Sequence, residues 1–257
     1  MSICENVAII INLQLILNDS EYMIAGMREF SSLRNLEYMN ISDHKVFVFD
    51  LGMVLVSLYR KECIEKFRLL GIEDAAAMIG NSSQNGPFGA LEYGLISVEK
   101  FCDELAVLSN KKISGSDIVD AWNSMIGETP VDLLNMIYRL RHEYGKTVCM
   151  LSNVNQPHID NVMQNHFRQV EGRDIYDYFD ALYLSHELHL KKPEPEIFET
   201  VGQSIHDKFG FSGKDIIFFD DSQDNVNMAV KYGWDSIVIA NTDETMEMLR
   251  EMLNSKC

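Results

Sequence analysis

The stretch Val46-Phe47-Val48-Phe49-Asp50-Leu51-Gly52-Met53-Val54-Leu55-Val56 decides how this chain is read. Four β-branched and aromatic residues run into an Asp and, after one Leu, a turn Gly. That is the pattern of a buried strand delivering a carboxylate to a loop at the sheet edge. In open α/β sheets, ligands bind at this carboxyl edge. A turn-capping Asp would look the same, so the rest of the chain must carry the argument.

Three segments of the same kind follow in order. Lys146-Thr147-Val148-Cys149-Met150-Leu151 ends at Ser152-Asn153. In Lys192-Pro193-Glu194-Pro195-Glu196-Ile197-Phe198 a Lys stands before a Pro able to open a helix. Asp215-Ile216-Ile217-Phe218-Phe219 ends at Asp220-Asp221-Ser222. A carboxylate, a hydroxyl, a cation and a carboxylate pair are thus set, in sequence, at strand ends or helix starts. The order and the wording, FDLGMVLV, LSNVN, KKPEPEIF and FFDDSQDNV, resemble the four motifs of the haloacid dehalogenase superfamily of phosphohydrolases. The wording is similar to that of the branch containing α-D-glucose-1-phosphate phosphatase-like enzymes. The resemblance spans about residues 45–240.

Phosphoryl transfer needs an in-line nucleophile, charge neutralisation and a held metal. The resemblance makes Asp50 the nucleophile, through an aspartyl-phosphate that water later cleaves. It makes Asp221 the principal Mg²⁺ ligand, with Asp220 beside it either as a water-mediated ligand or as an orienting base. Two adjacent carboxylates repel unless a cation offsets them. Asp50 and the main-chain carbonyl of Gly52 complete the expected metal set. Ser152 and Asn153 would bind phosphate, and Lys192, rather than its neighbour Lys191, would neutralise it. Asn225 is expected to support the metal carboxylates, and Asp224 to sit at a helix start as an acid favoured by the dipole.

Gly52 departs from most phosphatases of the superfamily. They carry there a second Asp that protonates the leaving oxygen. The carbonyl contact survives the change and the side-chain acid does not. Glu92, His158 and His186 are candidates for the missing acid by chemistry alone. The leading expectation is a Mg²⁺-dependent phosphomonoesterase acting on a small phosphorylated metabolite such as a sugar phosphate. One alternative is a metal-independent haloacid dehalogenase, which would leave the Asp220-Asp221 pair without a role. Another is a non-catalytic binding or regulatory protein that keeps the fold.

The bulk properties narrow the class. The chain has 257 residues, 46% apolar and 24% charged, as in an ordinary globular protein. A formal charge of −17 argues against nucleic acid and anionic membrane surfaces as partners. A small anionic substrate remains compatible, because a metal and a few cations reverse the field locally. Cys4, Cys63, Cys102, Cys149 and Cys257 are scattered, which favours reduced thiols in a cytoplasm. Cys149 reads as a buried core residue.

Strand-helix alternation after Pro130 predicts an α/β fold, a doubly wound parallel sheet. It accounts for residues 44–57 and 130–257 as one catalytic core. Residues 58–129 read as an all-helical cap, with helices over about 60–70, 98–108 and 116–125. Between the first two, Asn81 to Tyr93, with Gly86, Pro87 and Gly89, reads as a loop able to govern specificity. Residues 1–43 form an extension of uncertain role. Its apolar run, Val7 to Leu17, is too short to span a bilayer and lacks signal-peptide flanks. It reads either as an element packed on the domain or as sequence upstream of a true start at Met39.

Overall fold

A computed structural model describes residues 41–80 and 84–254. The expectations for Val7 to Leu17, Met39, Cys4 and Cys257 fall outside these residues. Among the described residues, five parallel strands form one sheet in the order β3-β2-β1-β4-β5. They are β1 (Val46–Phe49), β2 (Thr147–Ser152), β3 (Ala181–Leu184), β4 (Ile216–Asp220) and β5 (Asp235–Val238). All four residues of β1 are buried, as its unbroken apolar run demands of a central strand covered on both faces.

The chain runs from β1 outward through β2 and β3 on one side, and through β4 and β5 on the other. The carboxyl end of β1 therefore lies at the switch point, where open sheets form their binding crevice. Register aligns Phe49 with Met150 on one neighbour and with Phe219 on the other. The polar residues that follow each run, Asp50, Ser152 and Asp220, emerge at the same edge.

Between β1 and β2, the described residues form six helices: α1 (Arg60–Leu69), α2 (Ala75–Met78), α3 (Gly86–Glu92), α4 (Val98–Leu108), α5 (Gly115–Asn123) and α6 (Val131–His142). The first five enclose an apolar core of their own, centred on Phe67, Phe88, Phe101 and Trp122. Phe88 packs edge-on against Phe67, Phe101 and Trp122. The expected loop at 81–93 is largely helix: Gly86 opens α3 with Pro87 in its first turn. Pro and Gly read as breakers along a sequence, yet Pro fits the first turn of a helix, where its missing N–H has no partner to lose.

After β2 come α7 (Gln156–Asn165), α8 (Ile175–Tyr178), α9 (Ser185–Leu188), α10 (Pro195–Phe209), α11 (Gln223–Lys231) and α12 (Thr242–Asn254). The helix expected to open at Pro193 opens at Pro195 instead, with Glu194 extended before it. A residue preceding proline is pushed out of the helical region, so the second Pro sets the start. Helix α10 buries Ile197, Phe198, Val201 and Ile205 against Val46, Val48 and Phe218 of the sheet. Helix α12 was not anticipated, although Met248, Leu249, Met252 and Leu253 recur at helical spacing and are buried.

Cys149 is buried in β2, and Cys63, Cys102 and Cys149 are free thiols. Among the described residues, no helix is long and apolar enough to cross a membrane.

Candidate active site

Lys192 ties the sheet edge together. Its Nζ lies 2.6 Å from Asp220 Oδ2 and 2.8 Å from Asp50 Oδ1, and donates to the Leu151 carbonyl at 2.8 Å. One ammonium thus bridges the ends of β4, β1 and β2. It is 3% exposed, so the pairing is made in a low-dielectric setting where it is strong. Burial works to lower the Lys192 pKa, but Asp220 and Asp50 outweigh it and hold the pKa above its ordinary value.

The Lys192 backbone is held as firmly as its head group. Its N–H donates to Asn153 Oδ1 at 2.9 Å, and Asn153 Nδ2 donates back to its carbonyl at 2.8 Å. The side-chain amide of Asn153, expected near the phosphate, thus positions Lys192. Both ends of that amide are already engaged in positioning Lys192. Ser152, at the end of β2, is buried and faces the cavity described below.

The neighbouring Lys191 goes elsewhere. Its Nζ pairs with Glu92 Oε2 at 2.5 Å, and both residues are buried. Glu92 ends α3, so this ion pair joins the helical insertion to the sheet side. Further bonds support the join. Ser185 Oγ donates to the Glu92 carbonyl at 2.7 Å, His189 Nδ1 lies 2.9 Å from the Tyr93 carbonyl, and the Tyr93 hydroxyl donates to Glu194. Gly94, at φ +69°, passes so close to His186 that a Cβ would lie 2.0 Å from its carbonyl oxygen. Only glycine fits both demands.

Asp220 is fully buried and committed. Its Oδ1 accepts from Ser222 N and Asn225 Nδ2, each at 2.8 Å, while Lys192 holds Oδ2. The expected supporting contact from Asn225 is thus present, and Asp224 is exposed in the first turn of α11. Asp221 differs from Asp220: its side chain is exposed at the rim of the site. One oxygen each from Asp50, Asp220 and Asp221 lie within 4.8 Å of one another. Burial, with Asp50 adding to it against the pull of Lys192, raises the Asp220 pKa to about 6. Partial burial, then Asp50 and Asp220, raise Asp221 to about 7. Three clustered carboxylates with one lysine among them carry an excess of negative charge. All-oxygen donors in that state suit a hard divalent cation such as Mg²⁺.

After Asp50 the backbone folds back on itself, Met53 N donating to Val56 O and Val56 N to Leu51 O. Met53, not Gly52, takes the left-handed conformation, at φ +62°. Thr245 of α12 fastens the loop by donating to the Val54 carbonyl at 2.9 Å.

Above Gly52, Ser152 and Asn153 lies a cavity of about 70 Å³, roofed by Arg60, Gln84, Glu92 and Trp122 of the insertion. Of the three candidate acids, Glu92 and His158 line it. His158 is held on both nitrogens, 3.2 Å from Asn155 Nδ2 and 3.0 Å from the Trp122 carbonyl. Burial lowers its pKa to about 4, so it stands neutral. His186 Nδ1 faces the Val154 carbonyl at 2.9 Å, and His186 does not line the cavity. Burial raises the Glu92 pKa, against the opposing pull of Lys191. Arg60, Gln84 and Trp122 were not singled out by sequence. Trp122 sits at core spacing on its helix, and a cavity-facing Trp has the same periodicity as a buried one.

A haloacid dehalogenase-like hydrolase family model matches residues 127–233. D-ribitol-5-phosphate phosphatase of Bacteroides thetaiotaomicron is 30% identical over 211 residues, 82% of this chain and 99% of that protein. The chain belongs to this hydrolase family. A solved HAD family enzyme from Bacteroides thetaiotaomicron, crystallised with magnesium and inorganic phosphate, shares 33% identity at a TM-score of 0.71. That match covers 76% of this chain and 93% of the other. A predicted HAD-like family hydrolase from Porphyromonas gingivalis, 28% identical, matches at 0.72 over 83% of this chain and all of its own.

Proposed function

We propose that this chain is a Mg²⁺-dependent phosphomonoesterase of small phosphorylated sugars or polyols, with Asp50 as nucleophile. The observation that carries the reading is the Asp50–Lys192–Asp220 bridge at the switch point, with Asp221 beside it at the rim. The likeness to D-ribitol-5-phosphate phosphatase supports the substrate class.

Lys192 fixes Asp50 by one oxygen and thereby orients the carboxylate for attack on phosphorus. The bond from Asp50 to phosphorus forms as the bond to the leaving oxygen breaks, and the leaving oxygen takes up a proton. Water then attacks the aspartyl-phosphate, releasing phosphate and restoring Asp50. Ser152 donates to a phosphoryl oxygen, and Lys192 offsets the charge gathered there. Asn153 acts through Lys192. Asp50, Asp221, Asp220 and the Gly52 carbonyl would hold the Mg²⁺, whose charge would neutralise phosphoryl oxygens when bound.

Residues 58–129 serve as the cap that covers the reacting centre and limits water. The free thiols support a reducing, cytoplasmic setting.

Phosphate release from a panel of phosphorylated metabolites, with Mg²⁺ and with excess chelator, tests the reading. Release that requires Mg²⁺ is expected. Equal release in chelator would overturn the metal assignment, and no release from any compound would favour a binding protein.

A further inference from the structure

The cavity under the insertion contains polar atoms that the protein leaves unmatched. Trp122 is 1% exposed, and its Nε1–H has no hydrogen-bond partner among the described residues. The same holds for the buried Oε1 of Gln84. Both residues line the cavity, together with Glu92. Buried polar groups are almost always paired, so a donor and an acceptor left open beside one cavity call for an explanation.

The ring of Trp122 cannot turn away to find a partner. It stacks on His158 with centroids 4.3 Å apart, meets Phe88 edge-on at 4.8 Å, and its own carbonyl accepts from His158. Glu92 is likewise fixed, by Lys191. The residues lining the cavity thus include a fixed Trp with an unmatched N–H, a Gln with an unmatched carbonyl oxygen and an anchored Glu, beside Gly52 and Ser152.

We propose that Trp122, Gln84 and Glu92 form the leaving-group subsite and select a hydroxyl-bearing chain over an apolar one. This rests on the phosphatase reading above and adds the recognition chemistry to it. A hydroxyl both donates and accepts, so one accepts from Trp122 Nε1–H while donating to Gln84 or Glu92. An apolar chain of the same length would leave Trp122 Nε1–H and Gln84 Oε1 unpaired, and sites built to bond a hydroxyl discriminate strongly against analogues lacking it. The volume sets an upper size. At 10–15 Å³ per water-sized position, about 70 Å³ holds roughly five to seven such positions. That room suits a short polyol chain.

The test compares two substrate series on the full-length protein with Mg²⁺: straight-chain polyol monophosphates and n-alkyl phosphates of matching length, roughly three to six carbons. Wild type should favour the polyol series in kcat/KM by about 10². Trp122→Phe and Gln84→Met should each shrink that preference by about tenfold, and Glu92→Gln by about tenfold to a hundredfold. Trp122 is part of the insertion's core, so Gln84→Met carries the test if Trp122→Phe fails to fold. Phosphate release without polyol preference, or variants that slow both series equally, would overturn the subsite while leaving the phosphatase reading intact. Absence of release from both series in wild type would overturn both.

Discussion

The floor and the roof of this site are built on opposite principles. On the floor, Asp220, Lys192 and Asn153 each have their polar atoms engaged by neighbours. In the roof, Trp122 Nε1 and Gln84 Oε1 have no partner among the described residues. A phosphoryl group presents the same oxygens in every substrate, so its site can be preorganised in full. A leaving group supplies part of its own hydrogen bonding, so its site must keep bonds open.

The sharpest way to break this comparison is at the floor. Asp50→Asn should lower single-turnover phosphate release by several orders of magnitude while the fold persists. Retention of more than roughly a tenth of activity, a loss under about 1.4 kcal/mol, would remove Asp50 from the nucleophile role.

The two neighbouring carboxylates should then separate. Asp221→Ala should abolish activity at ordinary Mg²⁺ concentrations without loss of stability, because it relieves repulsion from Asp50 and Asp220. Asp220→Ala should weaken Mg²⁺ less but cost about 3–5 kcal/mol of stability, since it strips a buried partner from Lys192. Mg²⁺ titrations of activity paired with denaturant melts would show it; equal losses of stability would contradict the division of labour.

Gly52 offers a sharper view of the junction between floor and roof. With no acid there, phosphates of more acidic leaving groups, such as sugar 1-phosphates and aryl phosphates, should react faster than 6-phosphates of the same sugars. General acid catalysis is worth about 10²–10⁴-fold, which bounds the spread in single-turnover rates. Gly52 is outside the left-handed region, and a Cβ there would meet only the flexible end of Leu58, at 3.0 Å. Gly52→Asp therefore requires the Leu58 side chain to give by a few tenths of an ångström, and should flatten the dependence. A flat dependence already in wild type would point to an acid supplied from the roof.

The smallest expected effect concerns acid stability. His158 is neutral in the folded protein, with its pKa lowered by burial from 6.5 to about 4. Between those values the unfolded chain binds the extra proton, so stability falls as pH drops from 6.5 toward 4. The loss is about 3 kcal/mol when complete. His158→Gln should flatten this part of the profile in melts at pH 7 and pH 5. An unchanged slope would assign the acid lability to other groups.

Much of the floor was legible in the sequence. An apolar run closed by a polar residue is a local signal, and each of Asp50, Ser152 and Asp220 ends such a run. In a parallel sheet those ends share one edge, so the juxtaposition follows from the strand pattern and the handedness of the crossovers. The amphipathic helices of the insertion were legible for the same reason. Helix α3 was not, because Gly86 and Pro87 serve equally well in a turn and in the first turn of a helix.

What only the tertiary structure decided is the use made of each side chain. Lys191 and Lys192 are adjacent and chemically alike, yet one pairs with Glu92 of the insertion and the other with Asp50 and Asp220. Asn153 follows Ser152 at a strand end, and the fold ties its side-chain amide to a backbone 39 residues away. Trp122 has the spacing of a core residue and keeps an unpaired donor beside the cavity. Local sequence sets which elements form, because propensity and periodicity act over a few residues. Partner choice depends on which distant groups arrive within bonding distance, and only the packed fold determines that.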